Sequence, residues 1–509
     1  MSSIALGLSV SKPLMALGLF GLLIVWLIDG NLKEKIKAFY NNKTALIISS
    51  IYLLTVLGFF WTSNLEFAID DLRRKLPIFF IPFYVSGFSP ITKKELHLLL
   101  KVFIAGVLIS TFWSLFVYLG GLNINIVDKR DLSRFNSHIR FGLAIALTIF
   151  FCFYYFFHSQ TIKKRVLWLG LSCWLITSLF LFSLFTGLVV FVITGVILLF
   201  VFGIRASKNS IIFSSILVFI ALFLGGSFFL SSSIKDFNES NIPKTISEKP
   251  FTKEGNKYRK DKKTEESTLR ENGYFVEKHI SDKEFSDAWN NRSDINYEAL
   301  DLKQNIIKFT LRRFITSKGL RKDAEAINSL SLKEIKAIEN GVPNHRFLKK
   351  NDISIRIQQI LWEHNSYLEG RSFNGHSVLM RWEYWKTAIN IIKEDFLFGV
   401  GTGDVQDVFN EQFKLNKSRL ENKYRLRTHN QFLAYGVSYG LIGLFWFIIC
   451  LFYPFIKFRL YKNYIYFAFL SIIILSMISE DTLETQAGIN LFAFFNTLFL
   501  LRLKENITN

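Results

Sequence analysis

Hydrophobic residues in this chain neither alternate nor recur on one face; they run on without a break. Residues 141–157, 166–184, 188–202 and 211–230 are each near or above the length of about 20 residues that a helix needs to cross a hydrocarbon core. Further runs lie at 14–28, 45–61, 76–88, 96–119, 432–455, 465–478 and 489–501, the third interrupted by Pro77 and Pro82. The pattern predicts an all-α, polytopic helical membrane protein with about eleven spans, in a range of about ten to twelve. An odd count leaves the N-terminus outside. A helix lost upstream to a misplaced start codon would restore about twelve spans with both ends inside.

One polar stretch breaks the series. Residues 233–428 separate an N-terminal transmembrane bundle, 1–232, from C-terminal transmembrane helices, 429–509. To about residue 296 this loop is rich in Lys, Glu, Asp, Asn and Ser and poor in aliphatics, which predicts an extended or partly disordered insert. From Tyr297 the pattern turns helical. Ser331-Leu332-Lys333-Glu334 is a capping box, and Gly341 stands where a C-terminal cap belongs. Residues 353–362 predict another helix, and Ser377 opens a third, whose stripe of Trp382, Trp385, Ile389 and Ile392 is expected to pack against the membrane domain. Gly399-Val400-Gly401-Thr402-Gly403 then reads as a tight turn. No strand precedes it and no Gly-Lys-Ser/Thr follows, which argues against a nucleotide site.

Composition supports the membrane reading: half of the 509 residues are hydrophobic and 54 are Phe. The formal net charge of +20 needs no nucleic acid to explain it, because much of it marks topology. Lys33, Lys35, Lys37 and Lys43, then Lys93 and Lys94, then Lys163, Lys164 and Arg165, lie in alternate short loops. Arg205 with Lys208, and Lys457, Arg459 and Lys462, continue the series, which places all of these in the cytoplasm. The long polar loop and the acidic hairpin of Glu480, Asp481 and Glu484 then lie outside, in the periplasm or extracellular space. Cys152, Cys173 and Cys450 all lie in apolar runs, so the loop has neither a disulfide framework nor a cysteine metal site.

Cations that break the topology pattern mark a candidate site at the outer face. Arg73, Arg74 and Lys75 sit at the outer end of the third span, and Arg130, Arg134, His138 and Arg140 around that of the fifth. Snorkelling to lipid phosphates accounts for Arg73 and Arg130. Arg140 lies at the start of an apolar run, where an uncompensated charge costs a few kcal/mol, and fits a buried site at least as well. Such convergence suggests an anionic substrate, and a lipid-linked diphosphate matches the arginine fork. At Thr428-His429-Asn430-Gln431-Phe432-Leu433 the polar loop re-enters an apolar helix, which sets His429 at the membrane boundary. There it can serve as base, acid or hydrogen-bond donor, or hold no role at all.

Three segments in order carry a family resemblance: Gly375-His376-Ser377-Val378-Leu379-Met380-Arg381-Trp382, Phe398-Gly399-Val400-Gly401-Thr402-Gly403-Asp404, and His429-Asn430-Gln431-Phe432-Leu433. Together with residues 136–142 and 480–488 they resemble the O-antigen ligase and polymerase superfamily. The resemblance implies a glycosyltransferase-C-like fold and a membrane enzyme that takes glycan from an undecaprenyl-diphosphate carrier, with no metal, cofactor or nucleotide sugar. It implies Arg381 and His429 as catalytic residues. Many relatives also carry an arginine just before a Thr/Ala-Gly pair, where this chain has Phe185-Thr186-Gly187. Either Arg140 supplies that charge or the carrier is handled differently. Arg74, Lys75, Arg134, His138, His376 and Asn430 are candidates for holding diphosphate or acceptor. The expected reaction is transfer to an acceptor hydroxyl on lipid A-core, another glycan or a protein, in the manner of an O-antigen ligase. A polysaccharide polymerase is the alternative within the superfamily, and a lipid-linked glycan transporter or flippase the alternative outside it.

Overall fold

The computed structural model describes residues 1–122, 129–205, 209–259 and 268–503; Lys208 and the side chain of Arg130 lie outside the description. Two compact units emerge, residues 1–218 with 380–509, and residues 219–379. The first begins with α1 (Ser2–Val10), α2 (Lys12–Ile28), α3 (Leu32–Asn41), α4 (Lys43–Gly58) and α5 (Leu65–Ser86). It continues with α6 (Lys93–Tyr118), α7 (His138–His158), α8 (Ile162–Leu181) and α9 (Phe185–Arg205). Helix α10 (Asn209–Ser240) runs across into the second unit. Each apolar run of the sequence lies on a helix, because a chain in lipid must satisfy its backbone internally. Among the described residues seven helices are long and apolar enough to cross a membrane, or eight if α2 and α3, bent by 116°, form one broken span. The remaining runs of the expected eleven form helices that are shorter, or, in α5, charged through Asp70, Asp71, Arg73, Arg74 and Lys75. The protein is a multi-pass membrane protein, almost wholly helical.

The second unit departs from expectation in its first part. Residues 268–296 are folded: β1 (Arg270–Glu271) pairs with β2 (Tyr274–Phe275) through an Asn272-Gly273 turn, and α11 (Asp282–Asn290) follows. Asn272 and Gly273 both have positive φ, the geometry of a tight hairpin. Phe285 and Trp289, one turn apart on α11, are fully buried against Leu311 and Phe314 of α12 (Ile307–Ser317). These two large rings anchor a segment whose composition is otherwise polar. Next come α13 (Ala324–Asn328), α14 (Leu332–Glu339), with the expected Ser331–Glu334 capping box, and α15 (Asp352–Leu368).

The chain then rejoins the first unit along α16 (Ser377–Glu394), so the loop domain expected to end at residue 428 gives way to the apolar unit near residue 379. Helices α17 (Val405–Leu415), α18 (Gln431–Lys457), α19 (Tyr464–Ser479) and α20 (Gln486–Leu503) complete it. Its core is aromatic: the Phe495 ring of α20 lies 4.9 Å from Phe103, 5.7 Å from Phe151 and 5.8 Å from Phe469, joining α6, α7 and α19. The stripe expected on α16 is displaced. Tyr384, Ala388 and Ile391 are buried, whereas Trp382 is 65% and Ile389 45% exposed. Periodicity finds an apolar face but cannot tell protein contact from contact with lipid.

The glycine-rich segment after α16 has a structural task. Helix α18 breaks at Gly440 (φ 61°, ψ −167°), which frees backbone groups that lipid cannot satisfy. The extended segment beside it answers them: Val400 N–H donates to Val437 O and Gly401 N–H to Ser438 O, both at 2.9 Å, and Leu441 N–H donates to Phe396 O at 2.9 Å. A Cβ on Gly399 would stand 2.4 Å from Val437 O, at φ +68°. Gly399→Ala is therefore expected to destabilise the protein by about 1–3 kcal/mol through strain alone, with the clash in addition. The check is a lower unfolding temperature of the purified protein, and an unchanged one would refute this account of the turn.

Candidate functional site

The loop between α17 and α18 positions a histidine with little freedom. Trp385 of α16 donates its indole N–H to Thr428 O at 2.9 Å, and the Tyr384 hydroxyl donates to Tyr424 O at 2.6 Å. Asn430 caps α18, its side chain accepting from Leu433 N–H, while its amide donates to Ile478 O at 3.0 Å. Between these anchors His429 adopts φ 47°, the left-handed region that a branched or bulky side chain rarely enters.

His429 faces the turn between α19 and α20. Its Nδ1 lies 3.3 Å from Asp481 Oδ1 and 3.7 Å from Glu480 Oε2. Arg381, from α16, reaches the same turn, with Nη2 2.6 Å from Glu480 Oε1. Arg140, at the start of α7 and 8% exposed, donates to the hydroxyls of Ser476 and Thr482, each at 3.3 Å, and to Asp481 O at 3.5 Å. Three cations separated widely in sequence thus converge on one turn: His429 and Arg381 face its two carboxylates, and Arg140 bonds the Asp481 backbone oxygen and the neighbouring hydroxyls. Asp481 and then Glu480 raise the His429 imidazole from its ordinary 6.5 to about 9, against the opposing effect of burial. Burial pushes the Asp481 carboxyl up, but His429 and Arg427 outweigh it and hold Asp481 below the usual carboxylate range. The imidazolium is therefore the resting form at neutral pH, and the cluster carries three positive charges against two negative.

A second charge cluster lies one step further along the same turn. Glu484 accepts from Lys75 at 2.8 Å and from Arg427 at 3.4 Å, and Lys75 also pairs with Asp71 at 2.7 Å. Arg74 stands 3.9 Å from Asp71 and donates to Glu484 O at 3.4 Å. Here too three cations meet two carboxylates. Lys75, at 2% exposure, is enclosed between its two acids. It anchors α5 to the turn. Asn430 likewise acts first as a helix cap. Arg134 is exposed in the loop before α7, and His138 opens that helix half-buried. His376 belongs to the second unit, where its ring lies 6.4 Å from that of Trp362 and burial lowers its pKa.

Helices α7 and α9 cross two residues beyond Phe185. Gly142 and Gly187 touch backbone to backbone: a Cβ on Gly187 would stand 2.6 Å from Gly142 O. The segments Arg140–Gly142 and Phe185–Gly187 therefore meet at one level of the bundle, and the buried cation at that level comes from α7. Glu480 and Asp481 are the residues that sequence reasoning left outside the site. Their signal was present, since adjacent carboxylates at the tip of an apolar hairpin are costly without cation partners. Side-chain donors of His429, Glu480 and Asp481 lie within 4.8 Å of one another, close enough to hold a divalent cation. Arg381 already occupies one oxygen of Glu480, so the carboxylates are neutralised by the protein's own cations.

Residues 347–448, which include Arg381, the glycine turn and His429, match a family model described as O-antigen ligase. No curated protein matches the chain.

Proposed function

We propose that this chain, whose residues 347–448 match the O-antigen ligase family model, is a glycosyltransferase-like enzyme that transfers glycan from an undecaprenyl-diphosphate carrier to an acceptor hydroxyl at the periplasmic face. The observation that carries this reading is the convergence of Arg381, His429 and Arg140 on the Glu480–Asp481 turn. Each of the two charge clusters has one positive charge in surplus, which suits a doubly anionic diphosphate diester. The acceptor oxygen attacks the anomeric carbon as the bond from that carbon to the diphosphate oxygen breaks, and the electron pair leaves with the diphosphate. Arg381 and Arg140 neutralise the charge that builds there, since guanidinium stays protonated at any relevant pH. His429, held as imidazolium through Nδ1, donates from its other nitrogen to the same oxygens. The hydroxyl proton passes to a carboxylate of the turn. A single displacement inverts the anomeric centre.

The ligase reading is the one we adopt, and a polymerase of the same superfamily differs only in acceptor. Glycan profiling of a strain lacking the gene separates them. Loss of polymer from its acceptor, with carrier-linked polymer intact, is the expected result; glycans of a single repeat unit would assign a polymerase. An unchanged glycan profile would overturn both.

A further inference from the structure

A cavity of about 1010 Å³ lies in the first unit along the second half of α7, from Phe150 to His158, so its near wall is about 15 Å along the helix from Arg140. It sits at or above the upper end of the range of about 300–1,000 Å³ found for small-molecule sites. Its wall is almost wholly apolar, formed by Phe153 and Phe157 of α7, Leu198 and Phe202 of α9 and Phe499 of α20. Its rim is basic. Lys93 at the start of α6, His158 at the end of α7 and Lys462 before α19 all border it.

Two further observations indicate that this volume receives a ligand. Gly195, on the α9 wall, has nothing within 4 Å of where a Cβ would stand, so a glycine keeps the space open where any larger side chain would narrow it. Arg205 lies with its guanidinium 5.6 Å from the Phe202 ring and 5.3 Å from that of Tyr461. Its Nη2 is enclosed yet finds no hydrogen-bond partner among the described residues. An unsatisfied guanidinium nitrogen beside a lysine-bordered apolar cavity matches a phosphate attached to a hydrocarbon chain.

We propose that this cavity binds one anionic glycerophospholipid, its acyl chain along α7 and α9 and its phosphate among Lys93, Lys462 and Arg205. The loops at this end are the basic short loops, which favours a lipid of the leaflet they face. The site is separate from the charge clusters and takes no part in the transfer. A polyprenyl phosphate shares the chemistry, but the bilayer supplies phospholipid in far greater amount.

Native mass spectrometry of the full-length protein in detergent tests this, with phosphatidylglycerol and phosphatidylcholine added at equal concentration. Wild type should retain one phosphatidylglycerol per chain with a preference of about tenfold over phosphatidylcholine. A Lys93→Gln/Lys462→Gln variant should lose the preference, and Gly195→Phe should lose retention of either lipid while eluting as a monodisperse species. Should Gly195→Phe fail to fold, Gly195→Leu and the lysine pair read the same property. Equal retention of both lipids by wild type, or full retention by the folded glycine variant, overturns the proposal. So does displacement of the phospholipid by equimolar undecaprenyl phosphate.

Discussion

Arg381→Lys is expected to cut glycan transfer about a hundredfold while the protein reaches the membrane at wild-type levels. The geometry explains why a conserved charge is not enough. One arm of the Arg381 fork is bonded to Glu480 at 2.6 Å, and the rest of the planar guanidinium remains to meet the diphosphate. A lysine ammonium can keep the ion pair with Glu480 but cannot serve two oxygen acceptors in one plane. The fold contact survives and the substrate contact is lost, so the defect should fall on transfer rather than on stability. Arg381→Ala is the less informative variant, because it leaves Glu480 without its cation partner. The measurement is transfer of carrier-linked glycan by membranes normalised to protein content. Activity within a few-fold of wild type in the lysine variant would remove Arg381 from the diphosphate site.

The apolar runs were legible because a membrane imposes length and continuity, and each of them lies on a helix. What periodicity could not supply was orientation. On α16 the rings of Trp382 and Tyr384 look equally apolar in sequence, yet Trp382 is exposed and Tyr384 is buried. Helix α1 left no signal because nine residues are too few to stand out from the run that follows. On α11, Phe285 and Trp289 are lost among charges, although they order the segment around them. The site was half legible. Its cations announced themselves by breaking the topology rule, and the glycine turn and His429 by their order along the chain. Their acids did not, because the pairing of Arg381 with Glu480 spans 99 residues and the contact of Arg140 with the Asp481 backbone spans 341. Without those acids the cations read as unpaired charges awaiting a ligand, as Lys75 does although it is enclosed in an ion pair.

The same acids decide what His429 can do. His429→Ala should abolish transfer, a loss of about a hundredfold or more for removal of one preorganised donor, without loss of the protein from the membrane. The pH profile separates its two possible roles. In the folded protein the imidazole is raised to about 9, above its unfolded value of 6.5. A raised value means that the charged form is favoured by folding. Its stabilising contribution is complete below pH 6.5 and is lost as pH rises through about 9. If the imidazolium donates to the diphosphate, kcat/KM should be flat across neutral pH and fall above about 9. Asp481→Asn removes the largest cause of the shift, so the falling limb should move to lower pH. His429→Gln, which can donate without titrating, should lose the limb altogether and retain part of the activity that His429→Ala lacks. Unfolding temperatures measured at each pH guard against mistaking alkaline destabilisation for titration. A rate that instead rises between pH 7 and 9 would mean that neutral His429 is the base, and the carboxylates of the turn would then be its positioning partners.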